Sequence, residues 1–287
     1  MLRVFLLSCA AIIAFASNSL LCRLALKQTS IDPASFTCLR IISGAAALSL
    51  IVILRTPRWR EASSWPSAVA LFVYAATFSF AYVGLSAGTG ALLLFGAVQA
   101  TMILTGLRRG ERLSVRQLAG LILALAGLLV LVLPGLSAPP LTSSFLMISA
   151  GIAWGVYSLR GKTTTDAIGA TAGNFIRAVP LAVVLGGALL PWSHFDSGGA
   201  AYAAASGALA SGAGYVIWYL ALPALRAATA ATIQLSVPVI AAIGGILLLG
   251  ETFSQRLLIA SMAILGGISL VVIGRSARTS TPEPARQ

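Results

Sequence analysis

Six aromatic residues are spaced so that they can present their rings from shared helix faces. Phe78 and Tyr82 are four residues apart, and Trp154 and Tyr157 are three residues apart. Side chains at these spacings lie on one face of a helix. Stacked rings bind flat or apolar groups, and tyrosine hydroxyls add hydrogen bonds at one edge. The sequence therefore predicts a binding surface for a flat small molecule, lined by Phe78, Tyr82, Trp154, Tyr157, Tyr215 and Tyr219.

Four amide side chains interrupt long apolar segments of the chain. Asn18, Gln99 and Gln234 are predicted to face the same cavity as the rings, because a polar side chain in an apolar span usually faces the interior. Asn174 is interpreted as a residue that hydrogen-bonds one helix to another, a role in which each bond contributes only about 0.6–2 kcal/mol. This structural role is also the alternative for the other three amides.

Four charged residues stand at informative places. Arg40 and Arg177 lie roughly two helical turns inside apolar segments, where a guanidinium could bind a substrate carboxylate, close a gate or extend to the membrane surface. Glu111 and Glu251 each follow a glycine at the end of an apolar segment and are interpreted as residues that fix loops. No Asp or Glu lies in the middle of an apolar segment. This argues against coupling to protons or sodium through a buried carboxylate.

Enzyme chemistry is not indicated by the remaining residues. The only histidine, His194, lies near Asp196 in a polar stretch. Cys9, Cys22 and Cys38 lack the spacing of a metal site, and no Gly-x-x-x-x-Gly-Lys-[Ser/Thr] phosphate loop occurs. We predict no catalytic residue, no metal ion and no cofactor.

The elements that position these residues are predicted to be membrane helices. Of 287 residues, 58% are hydrophobic and 9% are charged, whereas soluble domains carry about 25% charged residues. The apolar runs are continuous, unlike the alternating strands of membrane β-barrels, and a membrane helix needs about 20 such residues. The net charge of +12 comes from short basic clusters between the runs, which argues against nucleic acid as a partner. Ten spans are predicted, at 4–26, 33–54, 66–85, 88–107, 114–133, 142–160, 170–190, 200–221, 228–249 and 254–274.

The depth of the aromatic residues in these spans bears on their role. Tyr and Trp often anchor helices at membrane–water interfaces, and Trp192 and Tyr202 fit that role. Phe78, Tyr82, Trp154 and Tyr215 lie several residues from the span ends. An interface belt explains these four less well than a binding site does.

The distribution of basic residues predicts the orientation. With the N-terminus in the cytoplasm, fourteen basic residues fall in cytoplasmic segments, and only Lys27 and Arg256 fall in the opposite loops. Cytoplasmic loops carry such an excess of Lys and Arg. Both termini are therefore predicted to be cytoplasmic.

The two halves of the chain resemble each other. Gly110-Glu111 and Ser114 correspond to Gly250-Glu251 and Ser254 at an offset of 140 residues, and earlier elements match at an offset of 137. Each half contains five spans, so the second half enters the membrane from the opposite side. The predicted fold is an all-α membrane protein with ten transmembrane helices arranged as two inverted-topology five-helix repeats. The predicted units are residues 1–136, residues 137–274 and a flexible cytoplasmic tail at 275–287.

The repeated elements resemble those of a known family. Each half carries a Gly-Glu-x-x-Ser element after its fourth span, Ala153-Trp154-Gly155 stands in the first span of the second half, and Pro238 stands in its fourth span. Over residues 4–274 the chain is similar to the EamA-type branch of the drug/metabolite transporter superfamily, and within it to bacterial aromatic amino-acid exporters. The first half departs from the pattern, with Ser17-Asn18 where Trp-Gly is usual and Val98 where Pro is usual. The resemblance implies export from a bacterial cytoplasm across the inner membrane.

We therefore predict a secondary transporter that exports small metabolites, foremost aromatic or other amino acids, by alternating access. Obligatory ion coupling is not expected. The alternatives are a proton-coupled multidrug or metabolite exporter of the same fold and a channel-like membrane subunit. The expected partners are the small-molecule substrate and the lipid bilayer, and we expect a monomer, with a dimer as the alternative.

Overall fold

The described chain is built from helices that run back and forth through one bundle. The structure is a computed structural model that describes residues 2–55, 63–108, 110, 113–133, 138–161, 164–225, 233–252 and 254–279. These residues form no β-strand. The helices are α1 (Leu2–Gln28), α2 (Pro33–Arg55), α3 (Trp65–Ala81), α4 (Ala87–Arg108), α5 (Val115–Val132), α6 (Leu141–Gly161), α7 (Ala167–Ala188), α8 (Ser197–Ala205), α9 (Gly214–Ala221), α10 (Ser236–Leu249) and α11 (Gln255–Thr279).

Within the described residues, eight helical segments are long and apolar enough to cross a membrane. One of them combines α8 and α9 with the turns between and after them, over Ser197–Ala224. Two further apolar helices, α3 and α10, are shorter. Each of the ten predicted spans coincides with a helix, although residues 228–232 of the predicted ninth span lie outside the described residues. Large apolar side chains such as Leu54, Val184 and Leu247 are exposed along the helices, so the chain is a multi-pass membrane protein.

Short polar caps begin several helices and a glycine ends another. Ser114 accepts a hydrogen bond from the backbone N–H of Gln117, whose side chain accepts from the Ser114 backbone, a reciprocal capping box. Gly250 ends α10 with a φ of 62°, in the left-handed region that favours glycine. Gly110, 140 residues earlier in the sequence, has a φ of 88°.

The last helix ends later than predicted. The predicted tail began at residue 275, but α11 continues through Thr279. The segment from 275 to 279 contains neither Gly nor Pro, and the first proline after it is Pro282. Gly274, the helix-weakening residue at the predicted boundary, does not end the helix. Residues 280–287 of the predicted tail lie outside the described residues.

Contacts between the helices follow a regular scheme. Three of the contacting pairs are α2 with α7, α4 with α10, and α5 with α11. Helix α6 contacts α3 and α4, and α1 contacts the α8–α9 segment and α10. Likewise α7 contacts α3, and α2 contacts α8. The core of the bundle is formed where these helices meet.

Helices α5 and α11 approach closely because glycines face each other at their crossing. A Cβ atom on Gly120 would lie 2.5 Å from the carbonyl oxygen of Gly267, and one on Gly267 would lie 2.4 Å from the carbonyl oxygen of Gly120. Membrane helices commonly use such small residues to bring their backbones together. The neighbouring Gly266 has no atom within 4 Å of an added Cβ.

A π-helix at Ser206–Ala213 joins α8 to α9. Its sequence is rich in small residues, and Gly207 packs directly on α2, where an added Cβ would lie 2.0 Å from the carbonyl oxygen of Arg40. The corresponding part of α3 is a regular α-helix. π-Helical turns are rare and often occur at functional sites.

The loop between α1 and α2 is tied to the loop between α7 and α8 by Asp32. Its carboxylate accepts hydrogen bonds from the backbone N–H groups of Ala34, Ser35 and His194. Partial burial raises the pKa of Asp32, but hydrogen bonds from Ser35, His194 and Ala34 outweigh it and hold the net pKa below its ordinary value.

We expect Asp32→Asn to remove a pH-dependent part of the stability. Because the folded-state pKa is lowered, the carboxylate stabilises the fold fully above about pH 4, the pKa of an unfolded Asp, and this contribution is lost as the pH falls through the folded-state pKa. Thermal unfolding in detergent at a series of pH values should show the wild type above the variant at neutral pH, with the difference shrinking on acidification. A difference that stays constant with pH would contradict this assignment.

Candidate functional site

A continuous chain of aromatic rings runs through the middle of the bundle. Tyr82 contacts Phe78 with centroids 4.7 Å apart, Phe78 contacts Tyr74 at 5.5 Å, and Tyr74 contacts Trp154 at 4.9 Å. These separations are typical of favourable ring pairs. These ring contacts therefore connect α3 of the first half to α6 of the second half.

Trp154 lies at the centre of this chain. Its ring stacks on Tyr157 and on Tyr215, at 5.3 Å from each, with interplanar angles of 26° and 23°. From Tyr215 the contacts continue to Phe15 on α1 at 5.8 Å and to Phe175 on α7 at 6.3 Å. We call the eight rings Phe15, Tyr74, Phe78, Tyr82, Trp154, Tyr157, Phe175 and Tyr215 the aromatic chain.

A hydrogen-bonded network lies along one side of the aromatic chain. The side-chain amide of Asn18 donates to the Tyr74 hydroxyl at 3.0 Å, and its carbonyl oxygen accepts from Ser206 at 2.6 Å. Arg40 donates from Nη2 to the same Tyr74 hydroxyl at 2.9 Å. Asn18, Tyr74, Arg40 and Ser206 are all buried. The network joins α1, α2 and α3 to the first residue of the π-helix.

The Arg40 guanidinium also packs on the rings. Its central carbon lies 4.8 Å from the centroid of Phe78 and 5.2 Å from that of Tyr74, within the range of cation–π attraction. A cation on this face could attract an anionic group of a bound molecule, while the rings accept its flat part. The arrangement can therefore recognise a small molecule with both features.

The predicted aromatic residues are largely brought together. Phe78, Tyr82, Trp154, Tyr157 and Tyr215 belong to the aromatic chain. Tyr219 is half-buried and packs against the core next to it. Tyr82 closes onto α4, where its hydroxyl donates to the Ala87 carbonyl at 3.3 Å and its ring fills the space beside Gly90.

The predicted amides fall in different places. Asn18 belongs to the network described above. Gln99 lines an apolar crevice between α4, α5 and α11, together with Leu121 and Ile268, and it is not joined to the aromatic chain by any contact described. Gln234 is half-buried in the short helical stretch before α10.

Sequence reasoning did not single out Tyr74, Phe15 or Phe175 as site residues. Tyr74 lies four residues before Phe78, so the helix spacing that selected Phe78 and Tyr82 also applies to it. The repeat comparison favoured Phe78 and Tyr82 because their equivalents are aromatic, whereas the residue equivalent to Tyr74 is Ser211.

The helix ends near the α1–α2 loop are joined by a charged cluster. Glu251 forms an ion pair with Arg23 Nε at 3.1 Å and accepts from the backbone N–H of Ala87 at 2.8 Å. Arg23 also donates to the Tyr82 and Val83 carbonyls. This Glu251 cluster ties together the ends of α1, α3, α4 and α10. Glu251 therefore acts as the predicted loop-fixing residue, while Glu111 lies outside the described residues.

The opposite end of the bundle is joined by neutral and basic groups. Asn174 accepts from the Ser64 backbone N–H at 3.0 Å and donates to the Tyr157 hydroxyl at 3.5 Å. Arg177 donates to the Ser63 hydroxyl. These bonds hold the start of α3 against α7, which is the helix-linking role predicted for Asn174.

Comparison with known proteins identifies the family. The model of the EamA-like transporter family matches residues 2–133 and 141–273. The chain belongs to the EamA-like transporter family. An uncharacterised protein of Pseudomonas aeruginosa is 55% identical over 280 residues, covering 96% of this chain and 98% of the relative.

Two more distant matches extend the comparison. A protein of Streptantibioticus cattleyicolor named "probable terminal-alkyne amino-acid exporter" is 26% identical, covering 94% of this chain and 95% of the relative. A crystal structure with 19% identity superposes with a TM-score of 0.64, covering 97% of this chain and 99% of that one. This likeness shows that the two chains share a fold.

Proposed function

We propose that this EamA-like transporter exports small metabolites, foremost aromatic amino acids or related compounds, from the bacterial cytoplasm by alternating access. The observation that carries the proposal is the aromatic chain, in which Trp154 stacks between Tyr157 and Tyr215. Rings supplied by both halves of the chain meet there. A flat substrate that stacks among them contacts both halves at once, as a site between two moving units requires.

Three observations support an arrangement of two inverted five-helix repeats. The family model matches two successive ranges that divide the chain near residue 137. The equivalent glycines Gly110 and Gly250 both have positive φ. Helix contacts also come in equivalent pairs: α3–α6 corresponds to the contact of the α8–α9 segment with α1, and α4–α6 corresponds to α10–α1. Such pairs are expected if a pseudo-twofold axis relates the two halves.

The proposed orientation places both termini in the cytoplasm, as the distribution of basic residues predicts. The Glu251 cluster then lies at the periplasmic end and ties four helix ends together. Opening toward the periplasm requires these contacts to separate. The cluster is therefore the periplasmic closure in this conformation.

Transport without obligatory ion coupling fits the positions of the carboxylates. The described acidic residues Asp32, Asp166, Asp196 and Glu251 all lie at helix ends. A proton-coupled exporter of the same fold is the alternative, and it would need one of these end residues to exchange its proton with both sides. Accumulation in proteoliposomes against a solute gradient separates the two mechanisms, because an imposed proton gradient drives it only through the coupled carrier.

The substrate itself is tested by counterflow with labelled phenylalanine, tyrosine and tryptophan. We expect saturable exchange of at least one of these compounds or of a related aromatic metabolite. Exchange that does not saturate, together with ion conductance, would identify a channel. Absence of exchange with every aromatic compound would reject the proposed substrate class.

Replacing Trp154 by Ala should lower the rate of exchange by about tenfold or more. The substitution removes a ring on which the proposed substrate stacks. A stacked aromatic contact contributes about 0.5–1.5 kcal/mol beyond burial, and about 1.4 kcal/mol corresponds to a factor of ten. The matched control is Trp192→Ala, because Trp192 is 67% exposed and lies in a loop. Equal exchange rates in the two variants, at equal amounts of inserted protein, would show that Trp154 is not part of the substrate site.

A further inference from the structure

Arg40 is a buried cation with a hydrogen-bond donor to spare. Its side chain is 2% exposed, and a guanidinium stays protonated in proteins. Nη2 donates to the Tyr74 hydroxyl, whereas the buried Nη1 has no hydrogen-bond partner among the described residues. A buried charge destabilises a protein unless it is paired. An anion that accepts a hydrogen bond from Nη1 would therefore stabilise this part of the bundle.

Among the described residues, no carboxylate forms an ion pair with Arg40. The ion pair found there joins Arg23 to Glu251, and the sequence places no Asp or Glu within the ten predicted spans. Arg40 lies seven residues after the start of α2, about 10 Å along the helix. A charged residue at such a depth is expected to serve ligand recognition.

The geometry points to Arg40 as the residue that binds a carboxylate on the substrate, and to aromatic monocarboxylates of net charge −1 as the substrate class. The inference rests on the proposed function and narrows it: among the proposed aromatic amino acids and related compounds, it favours the related monocarboxylates over the zwitterionic amino acids. A carboxylate matches the planar donor array of a guanidinium. With its carboxylate at Nη1, a substrate can place its ring against the aromatic chain, because Phe78 and Tyr74 are in contact with the guanidinium.

Tyr74 adds a second donor at the same point. Its hydroxyl oxygen accepts from both Arg40 and Asn18. The hydroxyl hydrogen is then directed away from these two groups and is available to the carboxylate. Asn18 in turn is held by Ser206 of the π-helix. The π-helix therefore fixes the orientation of the anion-binding donors through Asn18 and Tyr74.

The net charge of the substrate follows from charge balance. A monoanion neutralises Arg40, so the loaded site carries no net charge. A zwitterionic amino acid also brings an ammonium group, and the site has no carboxylate to pair with it. Because net charge in a low-dielectric interior raises the free energy, the monoanion binds more tightly than the zwitterion of the same skeleton.

The effect of ligand charge can be tested with three compounds that share a phenylethyl skeleton. They are the anion 3-phenylpropanoate, the zwitterion L-phenylalanine and the cation 2-phenylethylamine. Binding is measured by the rise in unfolding temperature of the full-length protein in detergent. We expect 3-phenylpropanoate to bind at least about tenfold more tightly than phenylalanine, and the amine to give no rise. Equal binding of the amine and the acid would overturn the inference.

Substitution of Arg40 tests whether this residue binds the carboxylate. Arg40→Gln should abolish the rise produced by 3-phenylpropanoate, and Arg40→Lys should restore only part of it, because an ammonium lacks the planar donor array. Without ligand, Arg40→Gln should unfold at the same or a higher temperature than wild type, because it removes an unpaired buried charge. A purely structural arginine would give a lower unfolding temperature instead. The matched control is Arg177→Gln, at the equivalent position of the second half, which should retain binding.

Transport distinguishes failure of this inference from failure of the proposed function. In proteoliposomes, an inside-negative potential should speed efflux of 3-phenylpropanoate, because a negative charge leaves with each turnover. If phenylalanine is exchanged equally well by wild type and Arg40→Gln, the inference is wrong and the proposed function stands. If wild type moves none of the carboxylates, both are wrong.

Discussion

Replacing Gly207 by Ala is expected to produce the largest loss of stability and transport among the substitutions considered. The added Cβ would lie 2.0 Å from the Arg40 carbonyl oxygen and 2.1 Å from the Ser43 hydroxyl. Because the first of these neighbours is backbone, α2 and the π-helix must separate. Overpacking of this kind costs about 1–3 kcal/mol or more. We expect less folded protein on size-exclusion chromatography, a lower unfolding temperature and weak transport in the fraction that folds.

The control for Gly207 is Gly187→Ala in α7, where no atom lies within 4 Å of the added Cβ. This variant should match wild type in yield and stability, which excludes a general intolerance of glycine substitution. If Gly207→Ala behaved like Gly187→Ala, the close approach of the π-helix to α2 would be incorrect. The described positions of Arg40 and Ser206 would then be incorrect as well.

Replacing Gly267 by Ala should have the second largest effect, and its neighbour offers a closely matched control. A Cβ on Gly267 would meet the Gly120 carbonyl oxygen at 2.4 Å and the Ala124 backbone nitrogen at 2.7 Å. Gly266→Ala adds the same atom one residue earlier and meets nothing within 4 Å. We expect a fall of several degrees in the unfolding temperature for Gly267→Ala, from overpacking of about 1–3 kcal/mol, and no fall for Gly266→Ala.

Transport provides a second measurement on the same pair. Helices α5 and α11 contact each other and α4, and none of the eight rings belongs to them. Folded Gly267→Ala should therefore keep its affinity for substrate although its stability is reduced. A large fall in affinity without a fall in stability would place this helix pair next to the substrate.

The helices could be predicted from the sequence because continuous apolar runs have few other structures available in a membrane. The ends were less certain. The end of α10 was marked by Gly250, whereas α11 passes through Gly274 and continues to Thr279. The π-helix was not predicted, because it depends on the close packing of Gly207 against α2 rather than on a local preference.

The candidate site was predicted in part. Helix spacing and repeat matching selected Phe78, Tyr82, Trp154 and Tyr215, which meet in the structure. The same reasoning could not decide whether Arg40 was buried or extended to the membrane surface. An apolar span gives little periodic signal about which face points inward. Only the packed bundle shows that this guanidinium is enclosed.

The π-helix makes the two halves unequal, since the corresponding part of α3 is a regular α-helix. In the proposed alternating-access cycle, the inward-open and outward-open forms are then not related by symmetry, so the half-saturation concentration should differ between the two faces of the membrane. In an uncoupled carrier, detailed balance links the maximal rates and the half-saturation concentrations of the two directions. With no membrane potential, the ratio of maximal rate to half-saturation concentration must be equal in both directions. The face that binds its solute more tightly must therefore be the face from which the maximal rate is lower.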